Sequence, residues 1–259
     1  MANSRSGESV LERVDRILGV FSPQTPRLTV TQVARNADLP VSTVHRLCTE
    51  LAQRGWLEAE GGAFVIGTRL WELATRAARE STLAAIALPF MQDAQTVLGQ
   101  HVQLGRVEGR EVLILQRLSA HGAREISSGV AGRLPLHVSA VGLVLLAGMP
   151  TGGRQEYLAA LRAGDHVIPQ GGVAQLEAVL ASIRSVGHVI QTGNLEPDRT
   201  GIAVPVHSAR AEVVAGLGAV LDRSAVVVDP EATVQVLRAA AHGIERIMRQ
   251  HPHNVQLSR

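Results

Sequence analysis

Apolar residues recur at helical spacing in three successive stretches near the start of the chain. The first stretch places six apolar residues on one helical face: Val10, Leu11, Val14, Ile17, Leu18 and Phe21. This spacing predicts an amphipathic helix that ends near residues 22–23, where a proline follows a serine. In the second stretch, Thr29 and Gln32 have the spacing of a capping box, which predicts a short helix through Ala37.

The third stretch follows Pro40, whose fixed φ angle suits the first turn of a helix. We predict this helix over residues 41–53. Its apolar stripe has four members: Val44, Leu47, Cys48 and Leu51. The polar residues of the same helix therefore face solvent or a partner.

Two short apolar runs on either side of Gly61 and Gly62 predict a β-hairpin over residues 56–67. Three helices followed by a hairpin form a winged helix-turn-helix, which we place at residues 1–67. Residues 68–80 carry a helical pattern without Gly or Pro, and a single linker helix is predicted there. The remaining residues, 81–259, form a second domain.

Helical and strand-like patterns are mixed in this second domain. Strands are predicted at residues 101–107, 112–118, 189–192, 202–206 and 213–221. Helices are predicted at residues 82–98, 137–148, 153–162, 173–186 and 230–250. Strands and helices do not alternate regularly, so the sequence favours an α+β fold over a doubly wound parallel sheet.

The charge of the chain is nearly balanced. Its 259 residues include 25 Lys+Arg and 23 Asp+Glu, a formal net charge of +2, and every basic residue among the 25 is Arg. Few groups titrate between neutral pH and the arginine range, which explains a pI of about 9.4 without a strongly basic surface. This balance excludes a protein that coats nucleic acid by electrostatics alone. Residues 27–56 carry four Arg against two acidic residues, so the charge distribution allows a small local surface that binds nucleic acid.

Other classes are excluded by cysteine content and hydropathy. The single cysteine, Cys48, excludes an intramolecular disulfide framework and a Cys-cluster zinc site. Charged residues interrupt positions 1–20, so we expect no signal peptide, and the longest apolar stretch, 138–149, is too short to cross a bilayer. We therefore expect a cytoplasmic protein with no membrane contact.

Six segments of the chain resemble, in order, the IclR family of transcriptional regulators. They are residues 28–34, 39–47, 64–67, 134–147, 183–188 and 202–206. The resemblance implies a winged helix-turn-helix, a linker helix and a GAF-like effector domain with a curved antiparallel sheet. It also implies a homodimer or dimer of dimers that binds a palindromic double-stranded DNA operator and responds to a small organic metabolite, with repression favoured over activation.

Six candidate DNA-binding residues lie on the second and third helices: Thr31, Gln32, Ser42, Thr43, His45 and Arg46. Short polar residues at the start of a recognition helix let base edges approach closely, and Arg46 can fork onto a guanine or a phosphate. The start of the preceding helix commonly clamps a phosphate. Alternatively, Ser42 and Thr43 only cap the third helix and Arg46 is a solvated charge. The predicted hairpin would form the wing, and its tip at Gly61-Gly62 lacks Lys or Arg. This absence weakens the case for a contact between the wing tip and the minor groove.

Members of the family present the first backbone amides of a helix near residue 140 to a ligand carboxylate, as any helix N-terminus can. The resemblance therefore implies eight effector-binding candidates: Arg133, Ser139, Ala140, Val141, Gln191, Gly201, Gly218 and Val220. Four of these positions have lost a charge or hydroxyl that is common in the family: Gln191, Gly201, Gly218 and Val220. This loss predicts a larger or more apolar ligand. The alternative is that the glycines serve only sheet geometry and the pocket binds nothing.

Enzymatic and metal-dependent functions find little support in the sequence, and no cofactor is expected. His137 and Ser139, even beside Asp165 or Asp222, lack the strained elbow of a hydrolase nucleophile. The His-Pro-His of residues 251–253 has no third ligand at a suitable spacing, so no metal site is expected. A remaining alternative is a winged-helix module for protein contacts with a ligand-free dimerisation domain.

Overall fold

The computed structural model describes residues 8–22, 25–76, 78–119, 132–164, 171–222 and 229–250, with side chains of residues 78–82 left undescribed. The chain divides into two compact units, Met1–Ala78 and Arg79–Arg259. The predicted Asp165 and the histidines of residues 251–253 lie outside the described residues. None of the helices in the described ranges is both long enough and apolar enough to cross a membrane.

The N-terminal unit is a winged helix-turn-helix. Its elements are α1 (Val10–Gly19), β1 (Arg27–Thr29), α2 (Val30–Asn36), α3 (Val41–Gln53), β2 (Leu57–Glu60), β3 (Ala63–Ile66) and α4 (Thr68–Ala74). The three strands form an antiparallel sheet in the order β1-β3-β2. Its core takes Ile17 from α1, Val33 from α2 and the predicted stripe of α3, packed against Leu57 and Phe64 of the hairpin.

Local sequence signals set most boundaries of this unit. The predicted capping box at the start of α2 is confirmed, because Thr29 accepts from the Gln32 amide and Gln32 accepts in return. Helix α1 has a second capping box, between Ser9 and Glu12, and ends at Gly19, before the expected proline. Strand β1 was not predicted, because three residues are too few to show an alternating pattern.

The prediction of one continuous linker helix over residues 68–80 is wrong. Helix α4 begins where Thr68 donates to the Glu58 carboxylate, which lowers the pKa of Glu58, and it ends at Ala74. No residue of α4 is buried, so packing within this unit does not extend the helix. The Thr75 hydroxyl donates to the Glu72 carbonyl at 2.8 Å at the end of the helix. Residues 78–80 belong to the next helix.

The C-terminal unit is built on one antiparallel sheet. Its helices are α5 (Ala78–Leu98), α6 (Ala140–Gly148), α7 (Thr151–Arg162), α8 (Gly172–Val186) and α9 (Pro230–Gln250). Its strands are β4 (His101–Glu108), β5 (Glu111–Leu118), β6 (Arg133–Pro135), β7 (Val189–Thr192), β8 (Arg199–His207) and β9 (Val213–Asp222). The strand order is β6-β5-β4-β9-β8-β7, and every neighbouring pair is antiparallel. The α+β prediction is confirmed.

Helices cover both faces of this sheet, and strand alternation decides which residues meet which layer. On β8, Ile202, Val204 and Val206 pack with α5 and α9, whereas Ala203 packs with α6, α7 and α8. Residues in phase with Ala203 on the same strand therefore point towards α6. Strand β8 starts three residues earlier than predicted, at Arg199, and strand β6 was not predicted.

Candidate functional sites

The predicted DNA-reading residues lie on the surface of the N-terminal unit. Thr31 and Gln32 are exposed at the start of α2, and Ser42, His45 and Arg46 are exposed on α3. Thr43, next to Ser42, is partly buried. The Gln32 side chain is engaged in the cap, since its Oε1 accepts from the Thr29 amide at 2.8 Å and from the Thr29 hydroxyl at 2.9 Å.

The start of α3 shows whether Ser42 and Thr43 cap the helix. The N-cap residue is Pro40, and no side chain caps the helix. The main-chain oxygen of Pro40 accepts from the Val44 amide at 3.0 Å, which is the first hydrogen bond of the helix. Neither hydroxyl is therefore used as a helix cap, and the interpretation of both residues as mere caps is not supported.

Arg46 on α3 and Arg54, the C-cap residue of that helix, share one carboxylate. Arg46 Nη1 lies 3.8 Å from Glu50 Oε2, and Arg54 Nη2 lies 3.5 Å from Glu50 Oε1. All three side chains are about half exposed or more, so these ion pairs contribute little to stability. Arg46 can leave Glu50 for a phosphate or a guanine at small cost.

The wing, which is the β2–β3 hairpin, carries a positive charge from a residue outside the hairpin. Arg27, on β1, pairs with Val65 of β3, and its Nη2 donates to the Glu60 carbonyl at 2.7 Å. A Cβ built at Gly61 would lie 2.6 Å from the same Nη2, so the absent side chain makes room for the guanidinium. The wing tip therefore has a positive charge, which the sequence pattern of the hairpin alone did not show.

The C-terminal unit contains a cavity where α6 begins. The empty space there is about 520 Å³ when open solvent is included, and the volume that can hold the centre of a water-sized sphere is about 50 Å³. Six of the eight predicted effector residues line it: Ser139, Ala140, Val141, Gln191, Gly201 and Val220. Further lining residues are Gln103, Val138, Asn194, Leu195, Glu196, Arg199, Ile202 and Ala219. These fourteen lining residues include no aromatic side chain, so a ligand would meet aliphatic and polar walls.

Two predicted effector residues lie elsewhere. Arg133 is on the edge strand β6 and pairs with Glu111 at 3.5 Å, away from the cavity. Gly218 faces α6, but a Cβ built there would lie 2.7 Å from Val141 Cγ2. Gly218 therefore allows Val141 to pack against the sheet and does not line the cavity.

The first turn of α6 forms one end of the cavity. Ser139 is its N-cap, and the buried hydroxyl accepts from the Gly142 amide at 3.0 Å. The amides of Ala140 and Val141 belong to the orphan donors of a helix N-terminus. A Cβ built at Gly201 would lie 3.1 Å from Ala140 Cβ and 3.9 Å from Ala140 N. Glycine at this position therefore keeps the helix end accessible from the strand.

Sequence reasoning missed the charged part of the cavity wall. Arg199 and Glu196 both line it, although neither was a candidate. The signal for Arg199 was its position two residues before Gly201, because strand alternation puts such residues on one face. The predicted strand began at residue 202 and so left this relationship out. Glu196 lies in a loop, where no sequence period indicates direction.

The suggested hydrolase triad has no counterpart in the described geometry. His137 is buried, and its Nδ1 lies 2.8 Å from the Tyr157 hydroxyl. Burial raises the pKa of Tyr157. The Ser139 hydroxyl caps α6, and Asp222 pairs with Arg199. Within the described ranges, no three His, Cys, Asp or Glu side chains come together as a metal site.

Comparison with known proteins agrees with both units. Residues 75–246 match the family described as "Bacterial transcriptional regulator IclR C-terminal", and residues 10–61 match "IclR helix-turn-helix domain". The "HTH-type transcriptional regulator XynR" of Escherichia coli is 27% identical, covering 80% of this chain and 83% of that protein. The "Pca regulon regulatory protein" of Pseudomonas putida is 27% identical over 78% of this chain and 70% of its own length.

Among solved structures, an IclR homolog from Microbacterium hydrocarbonoxydans complexed with 4-hydroxybenzoate is 39% identical and superposes with a TM-score of 0.81. The match covers 93% of this chain and all of that one. A chain that joins a helix-turn-helix to such a ligand-binding unit is a DNA-binding transcriptional regulator. The family matches cover most of its length, and the chain belongs to the IclR family.

Proposed function

We propose that this regulator binds a palindromic operator as a homodimer or dimer of dimers, represses transcription, and is controlled by a small aromatic hydroxycarboxylate. The recognition helix is α3, with Ser42, Thr43, His45 and Arg46 directed at the major groove. Thr31 and Gln32 contact the phosphate backbone. The effector binds in the cavity at the start of α6.

The DNA-binding assignment rests on exposure and on spare hydrogen-bonding capacity. The hydroxyls of Ser42 and Thr43 are not used as caps, and the ion pair that holds Arg46 is weak. The Gln32 cap uses Oε1, which leaves the amide nitrogen to meet a phosphate. Arg27 adds a positive charge at the wing, where the predicted hairpin had none.

One observation carries the effector assignment: six predicted residues, from α6 and its N-cap and from β7, β8 and β9, converge on one cavity. The cavity favours a ligand-binding domain over the alternative in which the glycines only shape the sheet. An aromatic hydroxycarboxylate is supported by the 39% identical relative crystallised with 4-hydroxybenzoate. The amides at the start of α6 suit its carboxylate, and the aliphatic wall suits its ring.

Effector control follows from unequal binding to two arrangements of the protein. A ligand that binds one arrangement more tightly increases its population, and the other arrangement is depleted. The two recognition helices of a dimer must match the half-site spacing of the operator. An effector that changes this spacing changes operator affinity without touching DNA.

DNA retardation tests the recognition helix. Wild-type protein should retard the intergenic DNA upstream of its own gene, and Arg46→Ala should weaken binding about tenfold or more, since a bidentate base contact is worth roughly 1–3 kcal/mol. Arg184→Ala, which removes an exposed arginine from α8, is the matched control and should bind as wild type does. Unchanged binding by Arg46→Ala would overturn the assignment of α3. No retardation at all would favour the protein-contact alternative.

The effector cavity is tested by filling it. 4-Hydroxybenzoate should raise the melting temperature of the wild type, because a ligand that binds only the folded state stabilises it. Gly201→Val adds a branched side chain whose Cβ would lie 3.1 Å from Ala140 Cβ, and it should abolish the shift. Gly152→Val, where a Cβ meets nothing within 4 Å, should retain it. A retained shift in Gly201→Val would place the ligand elsewhere.

A further inference from the structure

A buried arginine lies in the effector cavity beside the start of α6. Arg199 is the first residue of β8 and is 5% exposed. It precedes Gly201 by two residues and therefore lies on the same face of the strand, the face that meets Ala140. A guanidinium and a helix N-terminus consequently occupy the same side of one cavity, and both favour an anion.

Two carboxylates already surround this guanidinium. Arg199 Nε lies 3.4 Å from Glu196 Oε2, and Arg199 Nη1 lies 3.5 Å from Asp222 Oδ2. The side chains of Arg199, Glu196 and Asp222 are 6%, 23% and 16% exposed. Solvent screening is weak for such groups, so the presence and identity of each counter-ion matter.

The two carboxylates differ in how they are held. Asp222 is on β9, directly opposite Arg199 in the strand register. Glu196 is in the loop of residues 193–198 and lines the cavity itself. The same loop reaches the start of α6, where Asn194 Nδ2 donates to the Val138 carbonyl at 2.8 Å. Asp222 is thus a fixed partner, whereas Glu196 belongs to a loop that forms part of the cavity wall.

We propose that Glu196 occupies the place of the effector carboxylate on Arg199 in the effector-free protein, and that a carboxylate effector displaces it. The inference rests on the proposed effector function of this cavity and names Arg199 as the residue that selects an anionic ligand. The exchange leaves Arg199 with two anionic partners, so the charge of this buried guanidinium stays compensated. A neutral isostere of the effector cannot replace Glu196 in this way.

Displacement of Glu196 by the effector also changes how the loop of residues 193–198 is held. The ion pair with Arg199 joins the loop to β8, and the Asn194 bond joins the same loop to the segment before α6. Loss of the ion pair removes the side-chain connection to β8, while the main-chain bonds from Gly193 N to Arg199 O at 2.9 Å and from Arg199 N to Glu196 O at 3.1 Å remain. The conformational response to the effector therefore begins in the loop of residues 193–198.

The experiment compares 4-hydroxybenzoate with its uncharged isostere 4-hydroxybenzamide by isothermal titration calorimetry on the full chain. Wild-type protein should bind the carboxylate at least about tenfold more tightly than the amide, as expected for a charge-assisted contact. Glu196→Gln removes the competing carboxylate and should lower the Kd for 4-hydroxybenzoate about tenfold, with little change for the amide. Glu212→Gln, an exposed charge outside the cavity lining, is the matched control and should change neither affinity.

A second variant addresses Arg199 without leaving Asp222 beside a neutral side chain. Arg199→Lys retains the charge and loses the two-pronged geometry, so it should reduce the preference for carboxylate over amide. A Glu196→Gln protein that binds 4-hydroxybenzoate no more tightly than wild type, or that gains equally for both ligands, would overturn the exchange. If Gly201→Val still abolishes binding in that case, the proposed effector function of the cavity holds and only the exchange at Arg199 is wrong. A wild type that binds neither ligand would overturn both.

Discussion

Arg27 Nη2 donates a hydrogen bond to the main-chain oxygen of Glu60 at 2.7 Å, and this bond fixes a guanidinium at the tip of the wing. The two residues are 33 positions apart in the sequence, on β1 and β2, and strand β3 lies between them in the sheet. The adjacent Gly61 leaves the space that the guanidinium fills. A charge that the hairpin lacks in its own sequence is thus supplied by a neighbouring strand.

This arrangement predicts that Arg27 contacts a DNA phosphate. Arg27→Ala should weaken operator binding at every sequence tested and reduce the slope of log K against log salt by about 1. Fluorescence anisotropy with labelled operator across a potassium chloride series gives both quantities. Arg184→Ala should leave the slope unchanged. An unchanged slope in Arg27→Ala would mean that the wing cation does not reach the DNA.

The carboxylate shared by Arg46 and Arg54 should oppose DNA binding. Glu50→Gln frees both arginines and removes a negative charge near the phosphates. The two exposed ion pairs that are lost each contribute only about 0.3–0.5 kcal/mol to stability. We expect operator affinity to rise about threefold at low salt and the gain to shrink as salt increases. Glu177→Gln, which breaks the exposed pair with Arg162 on α7, is the control for a lost carboxylate. Weaker binding by Glu50→Gln would show that Glu50 positions Arg46 instead.

Gly218 is predicted to matter for packing, not for ligand contact. Gly218→Ala should destabilise the protein by roughly 1–3 kcal/mol, the usual cost of overpacking, because its Cβ would crowd Val141 Cγ2. Combining it with Val141→Ala should recover part of that loss, which urea unfolding followed by circular dichroism measures as a coupling energy.

Gly142→Ala supplies the comparison for this pair. A Cβ there would lie 2.3 Å from the Leu136 carbonyl oxygen, which is backbone, so no side-chain truncation can relieve it. Val141→Ala should therefore fail to rescue Gly142→Ala. Additive effects for Gly218 and Val141 would show that the two residues do not compete for space.

Cys48 should behave as a structural thiol. It is fully buried in α3, and burial raises the pKa of the thiol from 9.0 to about 11. A raised native pKa stabilises the fold below the unfolded pKa, and that contribution is lost as pH rises from about 9 towards 11. Unfolding followed by the fluorescence of Trp56 and Trp71 should show this loss in wild type and a smaller loss in Cys48→Ala. The native thiol should also resist an aromatic disulfide reagent at pH 8, and rapid labelling there would contradict the burial.

Much of the N-terminal unit was predictable, because its signals are local. The Thr29 and Gln32 cap, the apolar stripe of α3 and the Gly61-Gly62 turn each depend on residues a few positions apart. The end of α4 was not predictable in this way. Its helical pattern continues to residue 80, but Leu70 and Leu73 are only partly buried and no residue of α4 is fully buried, so packing within this unit adds little to the helix. Helix periodicity alone therefore predicted too long a linker helix.

For the effector cavity, too, some features were predictable from the sequence and others depended on the tertiary structure. The sequence by itself predicted a helix over residues 137–148 and the strands that carry Gln191 and Val220, whereas Gly201 fell one residue before a predicted strand. Only the tertiary structure decided what each glycine does, since Gly201 opens onto Ala140 whereas Gly218 accommodates Val141. Only the strand register brought Arg199 opposite Asp222, while the loop placed Glu196 beside it. Sequence periodicity sets which face of an element a residue occupies, but charges from separate elements meet only when those elements pack.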